Sequence, residues 1–204
     1  DGPTVVTVPF GSFFDISWVP ESVSAPGLEA RASRARLIGL EGSLAGINGQ
    51  LDEFVDGRLA GYLPNPDPEG PPAEYSLDFE VLWPEEEAWP VLSVVYTETG
   101  QPADAAEATT RRFALMFDLP TGEALTVADM LTAEGVAGLE GMIRERLAEA
   151  LGDLFCCFAP GELIANVGLA RDGLRVFVDL SGFPERSGSL EFAFSWVEVK
   201  GLID

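Results

Sequence analysis

The chain has 204 residues, enough for one large domain, or a domain with a small appendage, that buries its core without disulfides. Twelve Lys and Arg stand against 34 Asp and Glu, a formal net charge of −22. Such a field repels phosphate backbones and anionic lipid, which excludes nucleic-acid binding and leaves solubility or attraction of a cationic partner as its uses.

In chain order, residues 4–19 (TVVTVPFGSFFDISWV) are rich in Val and Phe and read as one or two strands broken at Pro9-Phe10-Gly11. Residues 20–34 read as a connecting segment. From Leu40 the period changes: Leu44, Ile47, Leu51, Phe54, Val55, Leu59 and Tyr62 recur at spacings of three and four, the mark of an amphipathic helix. Five glycines within it (42, 46, 49, 57, 61) each weaken it by ~1 kcal/mol relative to Ala, so tertiary packing must hold it. A proline-rich loop is expected over 65–72.

Tyr75, Leu77, Phe79 and Val81 alternate with Ser76, Asp78 and Glu80, predicting a half-buried strand. Residues 89–96 form a nearly continuous apolar strand, with Trp83 and Trp89 placed to pack across the preceding loop. Residues 97–108 are expected to be a loop or long turn, and 111–117 another strand. Asp118 closes that strand into a Pro120-Thr121-Gly122 turn, and Thr126-Val-Ala-Asp129 has capping-box spacing. Leu139, Ile143, Leu147 and Leu151 mark a second helix, with Glu140 and Arg144 four apart on its surface. Leu163 to Leu169 and Leu174 to Leu180 alternate about an Arg171-Asp172-Gly173 turn, Asp-Gly being a favoured hairpin pair, and Leu190 to Trp196 form the last strand. Strands around two main helices, joined by hairpins, predict an α+β fold with an antiparallel sheet.

The chemistry available is narrow. The chain has no histidine, which removes Ser-His-Asp and Cys-His catalysis and histidine metal sites. No GxxxxGK[ST] or GxGxxG occurs, so no nucleotide cofactor is expected, and no metal or catalytic residue is assigned. Asn65-Pro-Asp67-Pro-Glu69-Gly70 begins like a calcium loop, but its twelfth position is Ser76 and not the bidentate Glu required. Glu85-Glu86-Glu87 reads as a solvated hairpin tip. Cys156 and Cys157 are adjacent, with Cα atoms ~3.8 Å apart where an ordinary disulfide wants ~4.4–6.8 Å. They read as buried free thiols, with intermolecular pairing and a vicinal redox pair as alternatives. A carboxylate pair could run glycoside hydrolysis, but with so many acids the spacing alone selects none.

No stretch reaches the ~18 apolar residues of a membrane-spanning helix, so no transmembrane segment is expected. The start at Asp1, without a signal-peptide pattern, suits a chain whose leader has been removed.

Several stretches in order resemble a known family. They are Ile47-Asn48, Tyr75-x-x-x-Phe79-x-Val81, Val91 to Tyr96 leading into Thr99-Gly100, and Phe117-Asp118-Leu119-Pro-Thr121-Gly122-Glu. Leu125 to Leu131, Asp172-Gly173-Leu174-x-Val176-Phe177 and Phe194-Ser-Trp196-x-Glu198-Val199 complete the series. The pattern is similar to the extracellular domain family found in the anti-sigma factor RsiV and, as an accessory domain, in the deacetylase PdaC. It covers residues 35–204, with 1–34 as an N-terminal extension that adds strands. The resemblance implies an α+β fold and a secreted, periplasmic or envelope-attached location. It further implies a non-enzymatic binding or sensing role, since the RsiV domain senses lysozyme, a cationic protein. The expected partner is a cationic protein or a cell-wall component. The alternatives are a structural envelope protein without a specific ligand and a carboxylate enzyme acting on cell-wall glycan. The family's Thr-Gly-Gly-Ala-His stretch reads Thr99-Gly100-Gln101-Pro102-Ala103 here. The candidate contact surfaces are the 97–108 loop, with Thr99, Gly100, Gln101 and Asp104 as candidate ligand-contact residues, and the 181–188 loop.

Overall fold

The computed structural model describes residues 5–6, 14–25, 28–39, 42–62, 73–82, 90–101, 107–152, 158, 161–180 and 188–202. The 65–72 and 85–87 loops, Trp83, Trp89, Cys156, Cys157, Asp104 and residues 181–187 lie outside them. The chain packs as two units, one of residues 1–80, 96–112 and 119–123, the other of 81–95, 113–118 and 124–204.

The first unit begins with β1 (Val5–Val6), β2 (Phe14–Ala25) and β3 (Leu28–Gly39), paired antiparallel in that order. Residues 20–25 and 28–34 are thus not a connecting segment but part of two long paired strands. Leu28, Ala30 and Ala32 point into the core and alternate with exposed Glu29 and Arg31. The small alanines carry the inward face, so the apolar signal there is faint.

Helix α1 (Gly42–Tyr62) buries Leu44, Ile47, Leu51, Val55 and Leu59, the stripe its spacing predicts. Arg34 and Arg36 of β3 pair with Asp52, and Arg34 also with Asp56 and Glu21. Asn48 of α1 bonds the Leu37 backbone twice, accepting from its N–H at 2.8 Å and donating to its carbonyl at 2.9 Å. β3 pairs with β4 (Ala73–Leu82) only from Leu28 to Ala32, so beyond it the Asn48 amide stands in for a neighbouring strand at Leu37. The β3–β4 pair is parallel, which makes the sheet mixed, though mostly antiparallel.

β5 (Val91–Gln101) and β6 (Thr109–Asp118) follow in the same sheet, and β7 (Ala124–Leu125) closes its order at seven strands. The expected 97–108 loop is therefore shorter, because residues 97–101 continue β5. In the second unit, α2 (Ala133–Leu151) buries Leu139, Ile143, Leu147 and Leu151 as predicted, with Thr132 as N-cap. Glu140 accepts from the Gly161 N–H and Arg144 donates to the Phe158 carbonyl, so both reach the segment that follows the helix.

Residues Glu162–Ile164 form a 3-10 turn where a strand was expected, and the strand β8 begins at Val167. β8 (Val167–Ala170), β9 (Gly173–Asp179) and β10 (Ser189–Ser195) make a three-stranded antiparallel sheet. Within the expected Arg171-Asp172-Gly173 turn, Arg171 and Asp172 make the turn itself and Gly173 already pairs with Ala170. Trp196 does not continue β10. Ser195 and Glu198 form a capping box that starts a short helix, α3 (Trp196–Val199). Val91, Met116, Val127, the α2 stripe, Leu163, Val167, Leu169, Leu174, Val176, Val178 and Phe194 form this unit's core. Within it, buried Ser93 accepts the Leu169 N–H at 2.9 Å, and the Asn166 side chain accepts the Ala114 N–H at 2.6 Å.

Candidate functional site

The alternation of β3, β4 and β5 gives the sheet of the first unit two different faces. On the face toward α1, Tyr75, Glu98 and Gly100 meet the end of the helix. Glu98 is a carboxylate with 3% exposure. It accepts from Arg58 Nε at 2.6 Å and from Arg58 Nη2 at 2.7 Å, a bidentate pair, and from the Tyr75 hydroxyl at 3.3 Å. Tyr62 packs against Tyr75 with ring centroids 4.2 Å apart and planes tilted by 43°. Gly100 lies directly beneath Tyr62, and a Cβ there would overlap the phenol. Every lone pair of interest on Glu98 is thus engaged, which makes this network structural rather than a proton donor to solvent.

The chain's three tyrosines all belong to this face, and all titrate above the ordinary phenol range. Burial is the main cause for each, with Glu98 adding to it at Tyr62 and Tyr75. Tyr96, fully buried among Phe54 and Phe79, is pushed up to about 12. An unfolded tyrosine ionises near ~10, so the stability from these neutral phenols is complete below that pH and is lost as pH rises through the raised values. Phenolate absorbance of the folded protein should therefore stay low past pH ~10 and rise together with alkaline unfolding, whereas in urea it should titrate normally. A phenolate step near the ordinary value in the folded protein would contradict this burial.

On the opposite face lies a cleft of ≈ 240 Å³ lined by Glu29, Arg31, Glu74, Tyr75, Ser76, Thr99, Gln101 and Ala108. In the β3–β4 register Glu29 stands directly beside Glu74, and Arg31 beside Ser76. Thr99 and Thr110 hydroxyls lie 3.3 Å apart across β5 and β6. Next along this face the Ser33 hydroxyl donates to Asp78 at 2.9 Å.

The candidate contact residues divide accordingly. Thr99 and Gln101 line the cleft, Gly100 serves the opposite face as the seat of Tyr62, and Asp104 lies outside the described residues. Glu29, Arg31, Glu74 and Ser76 were missed. For Glu29 and Arg31 the available signal was the alternation with Leu28, Ala30 and Ala32. Asp118 ends β6, and Asp129 is occupied in a cap: its Oδ2 accepts from the Thr126 N–H and hydroxyl, each at 2.7 Å. Those two bonds hold its carboxyl below the usual range. No group of three or more acidic, cysteine or histidine side chains suited to a metal occurs among the described residues, nor among them does any helix long and apolar enough to cross a membrane.

No family model matches the chain, and no curated protein matches it. Solved structures do. A DUF3298 family protein of Bacteroides fragilis superposes with a TM-score of 0.60 at 13% identity, covering 95% of this chain and 94% of that one. A DUF3298 family protein of Pseudomonas aeruginosa PAO1 gives 0.58 at 13% identity, covering 94% of each chain. This α+β chain is therefore similar in fold, over nearly its whole length, to DUF3298 family structures.

Proposed function

We propose that this chain is a non-enzymatic binding or sensing domain, a divergent member of the RsiV-like family, that works outside the cytoplasm as a secreted, periplasmic or envelope-attached protein. The observation that carries the reading is the division of labour between the two faces of one sheet. The buried acid Glu98 is consumed by Arg58 and Tyr75, while the opposite face presents Glu29 and Glu74 with hydroxyls, an amide and Arg31 around a cleft, and Asp78 next along it. Such a surface recognises; it holds no obvious nucleophile–base pair. The fold likeness to DUF3298 structures and the order of matching stretches support the family assignment. The −22 charge supports a cationic partner, whether a basic protein or an amine-bearing component of the cell wall.

Binding to a panel of purified basic proteins, immobilised and washed at low and high salt, tests this. Salt shortens the screening length from ~10 Å at 0.1 M to ~3 Å at 1 M, so capture should be strong at low salt and lost at high salt. A combined Glu29→Gln, Glu74→Gln, Asp78→Asn variant should be captured less at low salt. Absence of any salt-sensitive partner, or equal capture of the variant, would remove the reading's support.

A further inference from the structure

Among the described residues Arg31 is the one arginine with neither an ion pair nor a hydrogen bond. This is unexpected in a chain with nearly three acids for every base, and it is more so because Glu29 is two residues away on the same strand face. Glu29 and Glu74, for their part, sit side by side in register across β3 and β4 and pair with no cation among the described residues. Like charges directly opposite each other weaken a sheet. The free chain thus leaves one guanidinium without an anion and two carboxylates without a cation, next to one another, on the rim of one cleft.

We infer that the cleft binds a small zwitterion, an amino acid or short peptide, with its carboxylate on Arg31 and its ammonium between Glu29 and Glu74. Arg31 offers the planar fork that matches a carboxylate. The hydroxyls of Ser76 and Thr99 and the Gln101 amide supply neutral donors and acceptors for the peptide group between the charges. Size selects within that class. The ≈ 240 Å³ cleft falls below the ~300–1,000 Å³ of sites for drug-sized ligands, which suits one or two residues. The inference rests on the reading above that this face is the binding surface, and it narrows the cationic group to an ammonium accompanied by a carboxylate.

Calorimetric titration with L-alanyl-L-alanine, its N-acetyl form and its C-terminal amide tests it. The dipeptide should bind, and either modification should lower affinity by about tenfold or more, the loss of one charge-assisted contact. Arg31→Gln should weaken the dipeptide by a similar factor and leave the amide's residual affinity unchanged. Glu74→Gln should do the same for the dipeptide and leave the N-acetyl form unchanged. Because Glu74→Gln also relieves a like-charge pair, it should raise the melting temperature while it weakens binding, so misfolding cannot imitate the result. The inference is overturned by the absence of saturable dipeptide binding in the millimolar range. Equal binding of the blocked peptides, or indifference to Arg31→Gln, overturns it as well. If basic proteins are still captured in a salt-sensitive way in that case, only this inference falls and the broader reading stands.

Discussion

Replacing Arg58 with Met should destabilise the first unit by about 3 kcal/mol, the range expected when one partner of a buried ion pair is removed. The reason is the carboxylate left behind. Glu98 is 3% exposed, and its two short hydrogen bonds, at 2.6 and 2.7 Å, both come from the Arg58 guanidinium. The Tyr75 hydroxyl at 3.3 Å is too weak a donor to replace them. The guanidinium itself retains 30% exposure, so water recovers part of the loss, which sets the figure at the lower end of the range. Urea unfolding followed by far-UV circular dichroism checks this through the shift in midpoint at unchanged slope. The pair should also be non-additive. Arg58→Met combined with Glu98→Leu removes both charges together and should recover most of the stability, because an apolar pair of similar volume satisfies the site. A single-variant loss below ~0.5 kcal/mol would mean that the bridge behaves as a solvated surface pair.

The same network explains what could and could not be read from the residues alone. The α2 stripe and the β9 alternation were legible because large buried side chains recur at the element's own period, Leu139, Ile143, Leu147 and Leu151 along the helix and Leu174, Val176 and Val178 along the strand. The end of β5 was not. Thr97-Glu98-Thr99-Gly100-Gln101 looks like a polar loop, yet Glu98 is buried because Arg58, forty residues earlier, neutralises it, and Gly100 is buried because Tyr62 covers it. Neither compensation leaves a local trace. The β2–β3 hairpin was lost for a related reason: alanines fill its inward positions, and Ala contributes little β preference and little apolar signal. Glu29 and Arg31 lie on that unrecognised hairpin and were missed with it; Glu74 and Ser76 stand on β4, whose alternation was legible but whose parallel register beside β3 was not, and Thr99 and Gln101 were named as loop residues although they end β5. The helix start at Trp196 is different. Ser195-x-x-Glu198 is a readable capping box, and the apolar alternation of β10 running into Trp196 masked it.

The turn after β6 makes the second large prediction. Gly122 adopts φ +76°, the left-handed region that residues with a Cβ occupy at a cost. A Cβ there would also lie 2.6 Å from the Ser43 carbonyl oxygen, at the start of α1. That neighbour is backbone and cannot rotate away. The Gly122 carbonyl meanwhile accepts from Gln50 Nε2 at 2.9 Å, so the turn is clamped to α1 from two sides. Gly122→Ala should therefore cost about 2–4 kcal/mol, adding backbone strain to a steric displacement of Ser43. Gly122→Asn separates the two causes. Asn tolerates the left-handed region better than Ala but carries the same Cβ, so it should relieve only the strain. If both variants lose the same stability, contact with Ser43 dominates; if Asn restores most of it, conformation does. A loss below ~0.5 kcal/mol for both, measured by urea unfolding, would show that the 119–123 turn moves freely from the α1 start and that neither constraint acts. The alanine variant of Gln50 offers an independent reading of the same clamp: Gln50→Ala removes one partly buried hydrogen bond, an effect of about 1 kcal/mol, and should soften the penalty at Gly122 by letting the turn withdraw from Ser43.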